Sequence, residues 1–495
     1  MADMSTSINI TFFIYLAGVM AIGIYAWMQT KDASDYFLGG RSLSPGVAAL
    51  SAGASDMSGW VLLGLPGFAY LSGLEAAWIS VGLCTGVALN WWLSAKRLRV
   101  YSVQLDDAVT VPAYLQRRFK DPTPWLKIFS ATFILLFFLF YVASGLIGGG
   151  KLFVAVFNMD YQYAVIAGAV IVVLYTLFGG FLAVSWTDVF QALLMTLALV
   201  VVPIVVMTDA GGFSETVAKV EAINPNFLNM LTDNTGTPLS LIAILSSLGW
   251  GLAYFGQPHI LARFKAIRSP GDVSTAAIIG VSWSVFIYLA AIAVGMAGAV
   301  YLATPLEDSE KVFMSLVAVL FNPVVAGVLL AAILAAIMST VDSQLLVCSA
   351  ALAEDLYPLV VKDPPSAERR LQVGRIAVGG LAIVAMTFAM DPNSKVLDVV
   401  SYAWGGLGAA LGPAILLSLY WPRMNRHGAL AGVLVGGLTV IVWSQISGGW
   451  FDLYELVPGF FFSVIAVVSV SLLTAKPDDE VVAKFDEMLI TVKSY

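Results

Sequence analysis

Apolar runs of about 20 or more residues recur from one end of this chain of 495 residues to the other, a pattern no ordinary soluble fold tolerates. Thirteen such stretches can be marked, at 8–28, 45–71, 76–95, 125–157, 161–181, 185–208, 238–260, 273–303, 323–355, 372–390, 396–421, 427–447 and 453–474. With 59% hydrophobic and only 12% charged residues, the expectation is an all-α polytopic membrane protein of about 13 transmembrane helices. The first run follows Asp3 without a preceding Lys or Arg and is too long for a signal-peptide core, so it reads as a retained span.

The basic residues orient the chain. If the C-terminus is cytoplasmic, the 25 Lys and Arg all fall on the inner side except Lys151, Lys219, Lys311 and Lys395. An odd span count with that bias places the N-terminus outside and the C-terminus inside. The net charge of −7 adds little, because placement matters more than the sum. Outside, the stretch 209–237 reads as an Asn-, Thr- and Gly-rich loop, and 309–321 as a short surface helix. The membrane domain covers 1–475, and the tail from Lys476, 476–495, is soluble, mixed in charge and too short to be a domain. Cys84 and Cys348 sit in apolar runs as packing residues, since two isolated thiols make no metal spacing and no disulfide framework.

The second stretch breaks the pattern. Ser51 to Trp60 (SAGASDMSGW) carries a carboxylate, three hydroxyls and two glycines at mid-membrane depth. A carboxylate there costs at least about 2.5–3.5 kcal/mol, so it has a partner or a task. The bland reading is a small-residue packing face with Asp56 on a wet crevice. Five spans later, Ser247 to His259 (SLGWGLAYFGQPH) is also studded with helix-weakening residues, Gly249, Gly251, Gly256 and Pro258. Two interrupted spans five apart are what a five-plus-five inverted repeat predicts for a transporter with its site at the midplane. The repeats would be 45–208 and 238–421.

Dipoles suggest what the first break holds. Its first half would end near Ala54 with carbonyls free for a small cation, and its second would begin near Asp56 or Ser58, either able to cap amides that favour an anionic group. In the ninth stretch, Ala336, Ser339, Thr340 and Ser343 recur at helical spacing as one polar stripe suited to a monovalent ion, unless the hydroxyls bond back to their own helix. Asp188 lies near an inner helix end, where a solvated or dipole role competes with an ion role; Asp342 borders the polar stripe and calls for an internal partner. Trp250 and Tyr254, at i and i+4, would share a helix face and wall an apolar pocket, Tyr141 faces lipid or core, and Trp91 and Trp92 read as an interfacial belt. His259 is a structural hydrogen bonder or a proton shuttle, and Glu354 and Asp355 mark a cytoplasmic helix end.

Six strings, Leu38–Ser42 (LGGRS), Ala49–Gly67, Gly179–Asp188 (GGFLAVSWTD), Gly249–Phe264, Ile333–Tyr357 and Val400–Pro413, resemble the sodium/solute symporter family over nearly the whole chain. The resemblance implies a LeuT-like inverted-repeat fold and sodium-coupled symport of L-proline in a bacterial inner (plasma) membrane, with sodium as coupling ion, no other cofactor and no obligate protein partner. Carried over, sodium would be held by backbone oxygens of Ala54, Met57 and Ala336 and the hydroxyls of Ser339 and Thr340. Asp56 would support sodium binding and Asp188 coupling. Ser58, Trp60 and Gly64 would line the path, and Tyr141, Trp250, Tyr254 and Pro258 would form the proline pocket. In sialic acid relatives, hydroxyls near 342 and 343 help hold a second sodium; Asp342 replaces one here, implying a second cation or a proton site with Ser343. The alternatives are symport of another small amino acid or organic solute, or a sodium-conducting channel, which would need no bulky pocket. A sensor would need an effector domain, and an enzyme a nucleophile–base or metal arrangement that the polar residues do not suggest.

Overall fold

A computed structural model describes residues 2–29, 37–178 and 180–495; Lys31 and Gly179, used above, lie outside them. Among the described residues the chain is helical, with only two isolated bridges, Leu43 with Ile267 and Thr232 with Pro238. Helix α1 spans Ala2–Gln29, and the second stretch is a chain of short helices, α2 (Pro45–Asp56), α3 (Gly59–Leu62) and α4 (Gly64–Ser72). Then come α5 (Ala77–Asn90), joined by a π turn to α6 (Lys96–Gln104), α7 (Val111–Arg118), α8 (Trp125–Phe157), α9 (Tyr161–Phe178), α10 (Phe181–Asp209) and α11 (Phe213–Ile223). The second half holds α12 (Leu241–Gly249), α13 (Pro258–Ala266), α14 (Val273–Tyr301), α15 (Val312–Leu320), α16 (Pro323–Ala350) and α17 (Ala367–Phe388). It ends with α18 (Val396–Tyr420), α19 (Arg426–Trp443), α20 (Leu456–Leu473) and α21 (Asp479–Lys493).

Every one of the thirteen apolar stretches is helical, and ten helices among the described residues are long and apolar enough to cross a membrane. Stretch 45–71 is interrupted after Asp56, and Tyr161–Leu177 and Leu241–Gly256 are shorter apolar helices. Their partial polarity is explained by location. The helix that carries the polar stripe, α16, is buried along most of its length, with α1, α2, α8 and α10 packed around it, so its hydroxyls never meet lipid. Helix α18 packs on α8 and on the 3₁₀ segment Trp250–Gly256, and α14 packs on α2 and α4.

Close backbone approach accounts for the glycines of the second break. A side chain at Gly251 would strike the carbonyl of Gly82, and one at Gly256 the carbonyl of Leu407. Those contacts seat the interrupted span against α5 and α18 with no room for a Cβ.

Two expectations change. The segment 209–237, expected as an outer loop, is not a plain loop, since it folds α11 and the 3₁₀ turn Pro225–Leu228. The helix foreseen at 309–321 forms as a 3₁₀ turn (Ser309–Lys311) and α15, but Val312, Phe313, Leu316 and Val317 are buried, so it is an inserted rather than a surface helix. There Glu310 accepts from Lys151 Nζ at 2.6 Å and from the amides of Val396 and Leu397 at 3.0 Å each, capping α18 from outside its own sequence. The tail, expected to be soluble and too short for a domain, folds as helix α21, with Val481, Phe485 and Met488 buried against α6.

Candidate ion and solute site

Ser44 opens α2 as its N-cap, accepting from the amide of Val47 at 3.5 Å, with Pro45 at the first helical position. The helix then runs to Asp56, and Met57, at φ −86° and ψ 74°, leaves it. Ser58 is extended (φ −69°, ψ −168°) and occupies the N-cap position of α3, but its hydroxyl makes no capping bond. The first half therefore ends two residues later than foreseen, at Asp56, and of the two residues expected to start the second half it is Ser58, not Asp56, that occupies the cap position.

That register aims the Ala54 carbonyl at α16. Ser339 Oγ donates to it at 2.9 Å and Thr340 Oγ1 at 3.3 Å, while Ser339 Oγ also lies 3.0 Å from the Ala336 carbonyl. Two of the residues expected in an ion site, Ser339 and Thr340, thus meet Ala54 across the helix interface, and Ala336 joins through Ser339, all fully buried; Met57 is buried at the break. The local back-bonding alternative holds in part, since Ser343 Oγ donates to the Ser339 carbonyl at 2.8 Å one turn further on.

Asp56 points away from this junction into an aromatic chamber. Its Oδ2 accepts from the hydroxyl of Tyr254 at 2.6 Å and that of Tyr288 at 3.2 Å, and its carbonyl accepts from the Tyr141 hydroxyl at 3.1 Å and Trp60 Nε1 at 3.4 Å. The Trp60 ring lies 5.9 Å from both Trp250 and Tyr288, and Trp404 stands edge-on to Tyr254 at 5.1 Å. Trp404 Nε1 donates to the Trp250 carbonyl at 2.9 Å, tying α18 to the break. Because Trp250 and Tyr254 occupy a 3₁₀ segment, four residues turn through about 120° rather than 40° beyond a full circle. They do not share one face: Trp250 also stacks on Tyr454 while Tyr254 reaches Asp56. Gly64 starts α4 and faces Leu397 of α18, beside rather than inside the chamber, and Pro258 opens α13 beside a small cavity lined also by Arg263 and Ser343. Several buried polar atoms here have no hydrogen-bond partner among the described residues: Asp56 Oδ1, Ser58 Oγ, Gln257 Oε1 and both His259 ring nitrogens.

Asp188 is neither solvated nor at an exposed helix end. It is fully buried on α10, accepting from Ser51 Oγ at 2.6 Å and Arg263 Nη2 at 3.1 Å. Arg263 extends the network to Ser51 Oγ at 3.0 Å, Ser343 Oγ at 2.6 Å and the His259 carbonyl at 3.0 Å. One guanidinium thereby joins both interrupted spans, α10 and α16. Asp342 contacts Ser343 Oγ at 3.4 Å, and its Oδ2 has no partner among the described residues.

Tyr288, Trp404, Arg263 and Gln257 were not foreseen as site residues. Tyr288 and Trp404 sit in apolar spans with other aromatics close by, Phe286 and Tyr402, and helical spacing carries no sign that they face the breaks. Arg263 offered a signal, a cation directly after an interrupted span. Trp91, expected in an interfacial belt, is instead buried with its ring 4.3 Å from Phe264, while Trp92 is 81% exposed.

Residues 36–436 match the model of the sodium:solute symporter family. The chain is 48% identical over 490 residues to the sodium/proline symporter of Escherichia coli, covering 98% of this chain and 96% of the relative. It is 46% identical over 472 residues to the high-affinity proline transporter PutP of Bacillus subtilis, covering 95% and 98%. Among solved structures, an outward-open, substrate-bound sodium-coupled sialic acid symporter aligns with TM-score 0.79 at 22% identity, covering 95% of this chain and 99% of that one. A nucleobase-cation-symport-1 transporter, Mhp1, in a closed form aligns at TM-score 0.55 and 14% identity, over 93% and 99%. These likenesses place the fold in the LeuT-like class with its inverted repeat. Over most of its length, with the two interrupted helices inside the matched region, this chain belongs to the sodium:solute symporter family.

Proposed function

We propose that this chain is a secondary active symporter that carries L-proline with sodium across a bacterial inner membrane, by alternating access and without enzymatic chemistry. The observation that carries the reading is a junction of neutral oxygens, Ala54, Ala336, Ser339 and Thr340, only two residues along the chain from a chamber walled by Trp60, Trp250, Tyr254 and Tyr288. Relatives 44–48% identical over nearly the full length bear the name sodium/proline symporter, which supports the choice of solute.

Sodium is held by those oxygens together with the Met57 carbonyl. Its charge takes the place of the hydroxyl protons donated to the Ala54 carbonyl, turning Ser339 and Thr340 from donors to Ala54 into ligands. Hydroxyls and carbonyls without bound charge suit an ion that must also leave. Proline places its ring against Tyr141, Trp250, Tyr254 and Pro258, with Ser58, Trp60 and Gly64 along the path, and its charged ends answer the unpaired Ser58, Gln257 and Asp56 atoms. Asp188 and Asp342, with Ser343, form the coupling or second-cation group. The topology is thirteen crossings with the C-terminus inside and repeats at 45–208 and 238–421. One charge moving through about 100 mV supplies about 2.3 kcal/mol and a tenfold sodium gradient about 1.4, enough for roughly 500-fold accumulation of a zwitterion.

The test is uptake of labelled proline into proteoliposomes under an imposed sodium gradient. Sodium-dependent accumulation is expected. No uptake of proline under any gradient would remove the solute assignment, and accumulation without sodium would remove the ion assignment.

A further inference from the structure

The inner face of the molecule is built from two tied groups. In the first, Leu43 and Ile267 form a parallel bridge that joins the chain entering α2 to the chain leaving α13. Arg41 adds bonds to the Lys265 carbonyl at 2.6 Å, Ser102 Oγ at 3.1 Å and Asp107 at 2.6 Å, and Arg99 of α6 bonds the Ile267 carbonyl at 2.5 Å. The inner halves of both interrupted spans and α6 are therefore one unit. In the second group, α7 is fixed to the surrounding helices: the Tyr114 hydroxyl lies 2.9 Å from Ser418 Oγ, Arg118 Nε donates to the Ser418 carbonyl at 3.1 Å, and Thr110 bonds Asp355 at 3.0 Å. Between the groups lies a narrow cavity of about 30 Å³ beside Pro258, Arg263, Ser343, Val347, Thr110 and Lys265. It has room for a water, not for an amino acid.

Helix α21 lies across this seam. On one side it buries Phe485 against Tyr101 of α6, ring centroids 6.4 Å apart, and Thr491 accepts from Gln104 Nε2 at 2.9 Å. On the other, the same Phe485 ring lies 5.2 Å from the guanidinium of Arg118, and Glu480 pairs with Lys120. Arg118 is buried with both terminal nitrogens lacking a hydrogen-bond partner among the described residues, held instead by the rings of Tyr101, Phe119 and Phe485. A buried guanidinium with one conventional bond depends on that cage.

We propose that α21 is a cytoplasmic clasp that holds the two groups together and sets how readily the inner cavity opens, with Phe485 as its pin. The inference rests on the alternating-access reading, in which opening to the cytoplasm separates these groups. Phe485 contacts both Tyr101 and Arg118, so parting the groups breaks the cage on at least one side. The clasp therefore weights the closed inner face without touching ion or solute.

The experiment uses the full chain in liposomes, with Cys84 and Cys348 replaced by alanine and Val347→Cys as a reporter in the cavity. Its rate of modification by a membrane-impermeant maleimide from the cytoplasmic side is read with no solute present, so the outcome does not depend on which solute is carried. Phe485→Ala is expected to raise the rate by about tenfold, a shift of about 1.4 kcal/mol in the closed-to-open balance, with Phe485→Leu falling between it and the wild type. Thermal unfolding of each variant, followed in parallel, separates clasp release from general loosening: a midpoint near that of the wild type is expected. Equal labelling in all three proteins, slower labelling in Phe485→Ala, or labelling that rises only with global unfolding would overturn the proposal.

Discussion

The two interrupted spans break in different ways, and in the function proposed above they serve different ligands. At the first, two residues, Met57 and Ser58, depart from helical geometry, and what is exposed is main-chain oxygen facing α16. At the second, seven residues, Trp250–Gly256, wind as a 3₁₀ segment, and what is re-aimed is side chain: Trp250 toward Trp60 and Tyr454, Tyr254 toward Asp56. A small cation needs only carbonyls and hydroxyls at short range, which a sharp kink provides. A ring-bearing solute needs wide walls, and those require a longer stretch of altered winding, supported by glycine contacts with α5 and α18.

The largest effect is expected where the two spans are joined. Arg263→Met leaves Asp188 buried and unpaired, a loss of about 3–5 kcal/mol, read as a lower unfolding temperature and poor yield in the membrane; a protein as stable as the wild type would show that the spans are held together by packing alone. Next comes the division of labour. Ser339→Ala should raise the sodium needed for half-maximal uptake by about tenfold with little change in proline KM at saturating sodium, and Trp250→Ala should do the reverse. If both variants shift both parameters equally, the two breaks form one site. Tyr288→Phe removes one of two hydroxyls on Asp56 and should weaken proline affinity about three- to tenfold, a hydrogen bond being worth about 0.5–1.5 kcal/mol; direct binding measurements read it.

The smallest effect lies far from either break. In the outer turn, Asp233 accepts from the Thr235 hydroxyl at 2.6 Å and the amides of Thr235 and Thr237 at 2.8 and 2.9 Å, which hold its carboxyl below the ordinary range. A depressed carboxylate stabilises the turn above its unfolded value and loses that contribution as pH falls through the lowered one. Near neutrality, Asp233→Asn should speed hydrogen exchange of residues 233–237 and leave uptake unchanged; a change in uptake would mean the outer turn is coupled to the breaks.

How much of this was legible beforehand differs by residue. The positions of the helices followed from apolar run length, because a membrane span must satisfy its own backbone and therefore announces itself locally. The interruptions were visible as polar and glycine residues inside such runs, and the stripe Ala336, Ser339, Thr340 and Ser343 as helical spacing. The partner of that stripe was foreshadowed only through family resemblance. For Asp188 the sequence left a solvated role open beside an ion role, because nearness to a helix end says nothing about what other helices cover that end; burial removes the solvated one. The docking of the tail was not legible, because Val481, Phe485 and Met488 are too few in 20 residues to declare a docked face.

By itself, then, the sequence determined which segments are helical, which two fail to stay helical, and which residue types lie at the failures, since these are properties of neighbouring residues in one chain. Only the tertiary structure decided that Ala54 meets Ser339, that Asp56 meets Tyr254 and Tyr288, and that Arg263 gathers Asp188, Ser51 and Ser343. Those pairs lie between 75 and 285 residues apart, and such contacts arise from how helices pack, which no local spacing encodes.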